Sequence, residues 1–242
     1  MRRCSSGFVL QSTKTVECAY LTERSIAMNK FKTLNEAPNY SIVEAAHYLR
    51  LKQQEIRRWI DNDVVRTSGR NLSFINLLEL HTLKALRKGT GLPMQRIRTA
   101  LMEFNAMEDA LHPLLDPRLE TDGLHLFLHD GDAYFNLNRA GQMGLPEILR
   151  TYLKRIDRFE SGEMIFFPFI ASEDADEPRT IQIAPQIAFG RPVLANTGIS
   201  VDVIAGRFRA RDTVSDLAEE YGVSPRLIEE AIRLEFPLLN AA

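Results

Sequence analysis

Two short runs near residue 50 constrain this chain more than any other feature. Residues 40–49 predict a helix with Ser41 as N-cap and Glu44 three positions on, the spacing of a capping box. Ile42, Ala45, Ala46 and Leu49 share its buried face. After a turn in which Leu51 packs inward, residues 53–60 predict a second helix that buries Ile56, Trp59 and Ile60. Two short helices, a tight turn and a small alanine where they cross make a helix-turn-helix. Residues 64–74 follow at once, with β-branched Val64 and Val65 ahead of a Ser-Gly-Arg-Asn centre. That pattern predicts a hairpin, and a hairpin directly behind a helix-turn-helix is a wing.

Further along, Leu78, Leu83 and Leu86 continue a helical period from Ile75 until Gly89 and Gly91 break it. Another helix starts at Leu92, with Pro93 in its first turn. Residues 124–129 and 133–138 flank Asp130-Gly131-Asp132, which is a hairpin signal. Leu145, Ile148, Leu149, Tyr152, Leu153, Ile156 and Phe159 form one helical stripe. Residues 164–170 predict a buried strand. The stretch 172–178 is acidic and short of apolar residues, so it predicts a solvated linker, with Glu163, Glu173, Asp174, Asp176 and Glu177 around it. Residues 180–183 alternate as a strand. Residues 185–198 hold two prolines and two glycines that shape a turn. Thr213 caps a helix that Gly222 ends, and Ser224 with Pro225 starts the next.

The net charge of −2 hides an asymmetry. Residues 40–100 carry eleven basic and five acidic side chains, whereas residues 101–242 carry thirteen basic and twenty-four acidic. The first block suits a polyanion, through phosphate neutralisation and counterion release; DNA would repel the second. No apolar run approaches the roughly 18 residues of a membrane helix, and no signal-peptide core follows Arg2 and Arg3, so a cytoplasmic protein with no membrane partner is expected. Cys4 and Cys18 fit neither a disulfide framework nor a metal spacing. Residues 1–35 lack any clean period and predict an unstructured or mis-annotated extension, with Met28 as an alternative start.

The second helix of the first pair exposes Gln53, Gln54, Arg57 and Arg58, which suit bidentate contacts with adenine and guanine edges. Arg66, Arg70 and Asn71 of the wing lie where phosphates would run, and Ser41 at the helix start completes the expected DNA-binding set. The C-terminal pair of helices carries Glu229, Glu230 and Glu235 on its second helix, expected to be exposed. That acidity points to a protein partner or a homodimer contact rather than DNA, with a plain three-helix packing unit as the alternative. The 189–198 stretch lacks the lysine and spacing of a phosphate loop. His125 and His129, four apart on a strand, lie roughly 13 Å apart and do not suit a metal. No nucleophile, acid–base pair or metal set stands in register, so no enzyme, metal or cofactor is expected.

Ser41–Leu49, Ile56–Trp59, the wing and residues 91–98 together resemble the MerR-type winged helix-turn-helix, departing from it at Arg50, where the turn more often has glycine. No cysteine-rich effector region follows. Residues 181–194 and 217–223 resemble a small C-terminal antitoxin domain once known only as a domain of unknown function, in which a strand leads to a Gly-x-Pro turn and a three-helix unit. Over roughly residues 40–236 the layout is similar to VapB-type antitoxins with a MerR-like head. The resemblance implies a PIN-like ribonuclease toxin as partner and repression of the chain's own operon.

These readings give a mainly α protein with small β elements: an N-terminal winged helix-turn-helix, a middle β-hairpin plus helix, and a C-terminal strand plus three-helix unit. The expected divisions are an extension over 1–35, a DNA-binding domain over 36–110, a middle region over 111–171, the acidic linker 172–178 and an antitoxin-like domain over 179–242. The expected partners are double-stranded operator DNA, a PIN-like toxin and a second copy of the chain. The protein-binding set is Phe189, Arg191, Glu229, Glu230 and Arg233. The rival readings are a stand-alone MerR-like regulator with a small-molecule pocket in the middle region, and a hydrolase using middle-region carboxylates.

Overall fold

A computed structural model describes residues 29–67, 69–90, 93–108, 112–116 and 145–236. The expected hairpin around Asp130–Asp132, with His125 and His129, lies outside the described residues, as do residues 1–28. What is described is mainly helical with small antiparallel strand pairs, as expected from the sequence.

Residues 29–36 form α1, whose Asn35 is buried and donates to the Gly162 carbonyl at 3.1 Å. The packed part of the chain therefore begins before residue 36. β1 (Pro38–Tyr40) leads into α2 (Ile42–Leu49). The predicted capping box forms: the Glu44 amide donates to Ser41 Oγ, and Glu44 Oε2 accepts from the Ser41 amide at 2.8 Å. Arg50 closes α2 in the left-handed region at φ 51°, where glycine would fit without strain. Lys84 reaches back to the Leu49 carbonyl at 2.8 Å. α3 (Gln53–Asp61) packs on α2 through Ile56 and Trp59, both buried.

The expected 64–74 hairpin does not form as written. Among the described residues only β2 (Leu72–Ser73) is a strand there, and it pairs antiparallel with β1 rather than with residues 64–67. The preceding residues are held otherwise. The Val64 amide donates to the Trp59 carbonyl at 3.0 Å, and Asn76 Nδ2 donates to the Arg66 carbonyl at 2.8 Å. With its backbone groups used this way, the stretch has no need of a strand ladder.

α4 (Phe74–Thr90) is buried almost all round over its first half and forms the axis of the molecule. Ser73 and Asn76 cap its start reciprocally, each side chain accepting from the other's amide at 3.1 Å. α5 (Met94–Glu108) follows, then a 3-10 turn at Pro113–Leu115. α6 (Leu145–Leu153) lies against α4. Here the sequence period misled. The apolar stripe runs on to Phe159, but the helix ends at Leu153, and β3 (Ile156–Arg158) pairs antiparallel with β4 (Met164–Phe166). Gly162, at φ 86°, supplies the turn. The buried Arg155 guanidinium fixes this change of direction by donating to the carbonyls of Phe167, Pro168 and Glu177 at 2.7–3.0 Å.

One core joins α2–α5 to Leu149, Tyr152, Ile156, Phe166, Phe169 and Ile183. At its centre His81 packs against Tyr152 and Phe166, with ring centroids 4.8 and 4.7 Å away. A second core forms behind β5 (Ile181–Gln182) and β6 (Val193–Leu194), from α7 (Val201–Arg209), α8 (Val214–Tyr221) and α9 (Pro225–Glu235). Thr213 caps α8 through the Asp216 amide at 3.1 Å, and Gly222 ends it at φ 62°, as the sequence implied.

The stretch 172–178 is solvated only in part. Glu173 accepts from Lys84 and Tyr152 at 2.5 Å and from Lys88 at 2.8 Å. Glu177 Oε1 accepts from the amides of Ile170, Ala171 and Ser172. Glu173 and Glu177 are thus acceptors that tie this segment to α4, α6 and its own backbone, while Asp174 and Asp176 stay exposed as the sequence implied.

Candidate nucleic-acid and protein interfaces

On α3, burial of Ile56 and Trp59 turns Gln53, Gln54, Arg57 and Arg58 outward, and all four are exposed. Among the described residues, Arg57 and Arg58 make no side-chain ion pair. Arg58 and Gln54 also line an open cleft of about 500 Å³ with Lys52, Trp59, Arg87 and Met94. Arg66, Arg70 and Asn71 are exposed in the stretch between α3 and β2. Ser41 differs from them. Its hydroxyl donates to Glu44 Oε2 at 2.8 Å and accepts from the Glu44 amide at 3.2 Å, so the capping box already uses it.

Beneath the Arg66 stretch lies a polar network that the sequence did not disclose. Buried Glu79 accepts from Asn76 through Oε2 at 3.0 Å, and its Oε1 lies 3.0 Å from His112 Nδ1. The hydrogen bond to Glu79 holds the His112 imidazole above its ordinary range. Asp63, in the left-handed region at φ 53°, pairs with Arg98 of α5 at 3.5 Å.

The second surface is the turn at residues 188–191. Ala188, Phe189 and Gly190 all have positive φ, at 47°, 54° and 78°. Phe189 stands 89% exposed. A non-glycine residue pair held left-handed costs of order 1–3 kcal/mol per residue and persists only where neighbours over-determine it. Those neighbours are on α2 and β1. Tyr40 Oη donates to the Gly190 carbonyl at 2.9 Å, and Arg191 pairs with Glu44. A Cβ on Gly190 would sit 2.2 Å from Tyr40 Oη. Burial raises the Tyr40 phenol well above its ordinary value, so it stays a donor. Burial also works against the Glu44 carboxylate, but hydrogen bonds from Ser41 and Arg191 outweigh it and lower the carboxyl.

Of the five side chains read as protein-binding, Phe189 and Glu229 are exposed and make no side-chain hydrogen bond or ion pair among the described residues. Arg191 is also exposed but is engaged with Glu44. The expectation of an open acidic face on α9 needs correction. Glu230 is 8% exposed and accepts from Arg233 at 2.7 Å, one helical turn on, and the Glu235 side chain is only 16% exposed. Glu230 packs toward the acidic segment 171–178 instead of facing solvent. The sequence signal that was available is the buried-face period through Ile228, Ala231 and Ile232, beside which Glu230 falls.

Among the described residues no helix is long and apolar enough to cross a membrane, and no cluster of three or more histidine, cysteine or acidic side chains stands ready for a metal.

Comparison with known proteins agrees with the C-terminal reading. The chain is 24% identical over 229 residues to "Putative antitoxin VapB45" of Mycobacterium tuberculosis (strain ATCC 25618 / H37Rv), a match covering 81% of this chain and 93% of that protein. The crystal structure of Rv2018 from Mycobacterium tuberculosis superimposes with a TM-score of 0.64 at 25% identity, covering 81% of this chain and 98% of that one. Residues 181–234, from β5 to α9 and including the Gly190–Pro192 turn, match the family described as protein of unknown function (DUF433).

Proposed function

We propose that this protein is the antitoxin of a type II toxin–antitoxin pair. The observation that carries the reading is the similarity to "Putative antitoxin VapB45", which runs through both packed units and not only the C-terminal segment. On this reading the chain has no catalysis of its own. The tail binds and masks a PIN-like ribonuclease toxin, and Phe189 is its exposed apolar anchor. Rigid aromatic side chains that enter a partner's pocket commonly carry a large share of interface energy.

The N-terminal unit binds the operator of its own operon and represses it. α3 is the recognition helix, with Gln53, Gln54, Arg57 and Arg58 toward base edges. The stretch between α3 and β2, which forms no hairpin among the described residues, takes the place of a wing and presents Arg66, Arg70 and Asn71 toward phosphates. Ser41 contributes there through the helix start it caps, since its hydroxyl is taken. A homodimer on a two-fold operator matches how helix-turn-helix proteins commonly dock. The supporting features are the exposed unpaired arginines of α3 and the basic excess of residues 40–100.

The test is co-expression of the full chain with the product of the adjacent reading frame, followed by co-purification and a ribonuclease assay. The expected result is a stable complex with nuclease activity suppressed. The same chain should shift its own promoter DNA, with affinity falling steeply between two salt concentrations. Failure to retain a partner, together with salt-independent or absent promoter binding, would overturn the reading.

A further inference from the structure

Under the 64–66 stretch, between α4, α5 and His112, lies a cavity of about 190 Å³. Its walls are of two kinds. Val64, Leu101, Met102 and Pro113 give it an apolar side. The other side is charged, and most of that charge is already matched. Arg98 faces Asp63, and His112 faces Glu79, whose second oxygen takes the Asn76 amide. Arg66 is the remainder. Among the described residues its side chain makes no hydrogen bond or ion pair; only its carbonyl is used, by Asn76. The cavity thus has one unmatched positive charge at its mouth and an apolar wall opposite.

We propose that this cavity binds a small monocarboxylate with an apolar body, and that its occupancy withdraws Arg66 from DNA. The volume is below the roughly 300–1,000 Å³ of sites for drug-sized ligands, so the occupant is of fragment size. A single unpaired guanidinium selects a monoanion and presents a planar fork matched to a carboxylate. The imidazole N–H of His112 and the second guanidinium, Arg98, stand in the same lining. An inorganic anion would leave the apolar wall uncovered. Buried Asn76 fixes the backbone of Arg66 to α4, so the guanidinium swings about a fixed point and serves either the cavity or the solvent side, not both at once. The second half of the proposal rests on the DNA-binding reading given above; the first half does not.

Benzoate is the probe, with neutral benzamide and inorganic phosphate as controls. Titration into the full chain, followed by ligand-observed NMR and calorimetry, is expected to show saturable benzoate binding, at least about tenfold tighter than benzamide or phosphate. Arg66→Gln should weaken benzoate at least about tenfold. Met102→Trp, at a position 60% exposed and outside the core, should weaken it similarly by filling the cavity. Absence of saturable benzoate binding, equal binding of benzamide, or indifference to both variants overturns the site. Benzoate should then lower promoter affinity of the unaltered chain and leave that of Arg66→Gln unmoved; saturable binding with unchanged promoter affinity overturns the coupling. A chain that binds benzoate but no promoter DNA at all would instead refute the operator reading, so the two failures are distinct.

Discussion

The phenol of Tyr40 donates to the Gly190 carbonyl at 2.9 Å, across 150 residues of chain. Tyr40 belongs to β1, which pairs with β2 at the root of the 64–71 stretch; Gly190 belongs to the C-terminal segment that is similar to the DUF433 family. This buried bond therefore fixes the tail's turn to the base of the proposed wing. Gly190 sits at φ 78°, and a Cβ there would meet Tyr40 Oη at 2.2 Å. Gly190→Ala should cost at least about 1–3 kcal/mol through left-handed strain alone, and more through the clash. Tyr40→Phe removes the donor and strands a buried carbonyl, at about 1–3 kcal/mol. In the Tyr40→Phe background Gly190→Ala should cost less than in the unaltered chain, since the hydroxyl it strikes is gone. Denaturant melts of the four proteins in this cycle measure the difference, and strict additivity would refute the contact.

The turn was partly legible in the sequence. Gly190 and Pro192 were recognisable as a Gly-x-Pro turn, yet the reason for the glycine was not, because Tyr40 is far away in sequence. The helix-turn-helix was legible for the opposite reason: its capping box, buried period and turn are all local. Arg50 marks the limit of that reading, since an arginine at φ 51° breaks the glycine preference and only the structure shows the strain retained. The 145–159 stripe misled because an apolar period does not reveal where a buried guanidinium such as Arg155 takes up carbonyls and turns the chain. The acidic segment 172–178 misled because charge pattern alone cannot distinguish a solvated carboxylate from one facing Lys84 and Lys88.

That segment predicts acid sensitivity. Burial disfavours the Glu173 carboxylate, but Lys84, Lys88 and Tyr152 outweigh it and bring the carboxyl down to about 2, against an ordinary 4.5. Its contribution is thus whole above about pH 4.5 and is lost as pH falls toward 2. His81 acts in a higher window. Burial pushes its imidazole down to about 3 from 6.5, so the unfolded chain binds a proton that the folded chain refuses, and stability falls as pH drops below about 6.5. Thermal melts from pH 7 to 3 should show His81→Gln flattening the slope from 6.5 down to about 3, and Glu173→Gln flattening only the part below 4.5. A single shared slope in both variants would contradict this assignment.

His112 should behave with the opposite sign. Its hydrogen bond to Glu79 raises it above 6.5 in the folded chain, so the stabilisation is complete below pH 6.5 and disappears as pH rises through the raised value. His112→Gln should lower the melting temperature at pH 6 and do so less at pH 8.5. Equal losses at both pH values would show that the side chain packs without titrating.

Within the proposed operator contact, Arg57 and Arg58 should differ from Arg70. Alanine at either α3 position should relax sequence preference and cost about 1–3 kcal/mol on the cognate site. Arg70→Ala should weaken cognate and unrelated DNA alike and lower the salt slope by about one phosphate contact. Promoter titrations against a scrambled duplex at two salt concentrations separate the two patterns. The assignment of recognition helix and wing fails if all three variants lose affinity without losing specificity.

The tail allows a similar separation of contact from fold. Phe189 is 89% exposed and contributes nothing to either core, so Phe189→Ala should leave the melting temperature unchanged. If the aromatic is the anchor of the toxin interface, its loss should cost about 2 kcal/mol or more of partner affinity, chiefly in the dissociation rate. Glu229 and Glu230 are neighbours in sequence with different surroundings. Glu229 faces solvent, and Glu229→Lys should slow association with a basic partner, an effect that shrinks with added salt, while the fold is kept. Glu230 is buried and bonded to Arg233. Glu230→Lys would set an ammonium beside that guanidinium in a shielded site, and the chain itself should be destabilised by roughly 3–5 kcal/mol. Stopped-flow association with the co-purified partner, paired with thermal melts of each variant, checks both halves. Equal melting temperatures for Glu229→Lys and Glu230→Lys would contradict the burial of Glu230, and unchanged partner kinetics for both Phe189→Ala and Glu229→Lys would place the interface elsewhere.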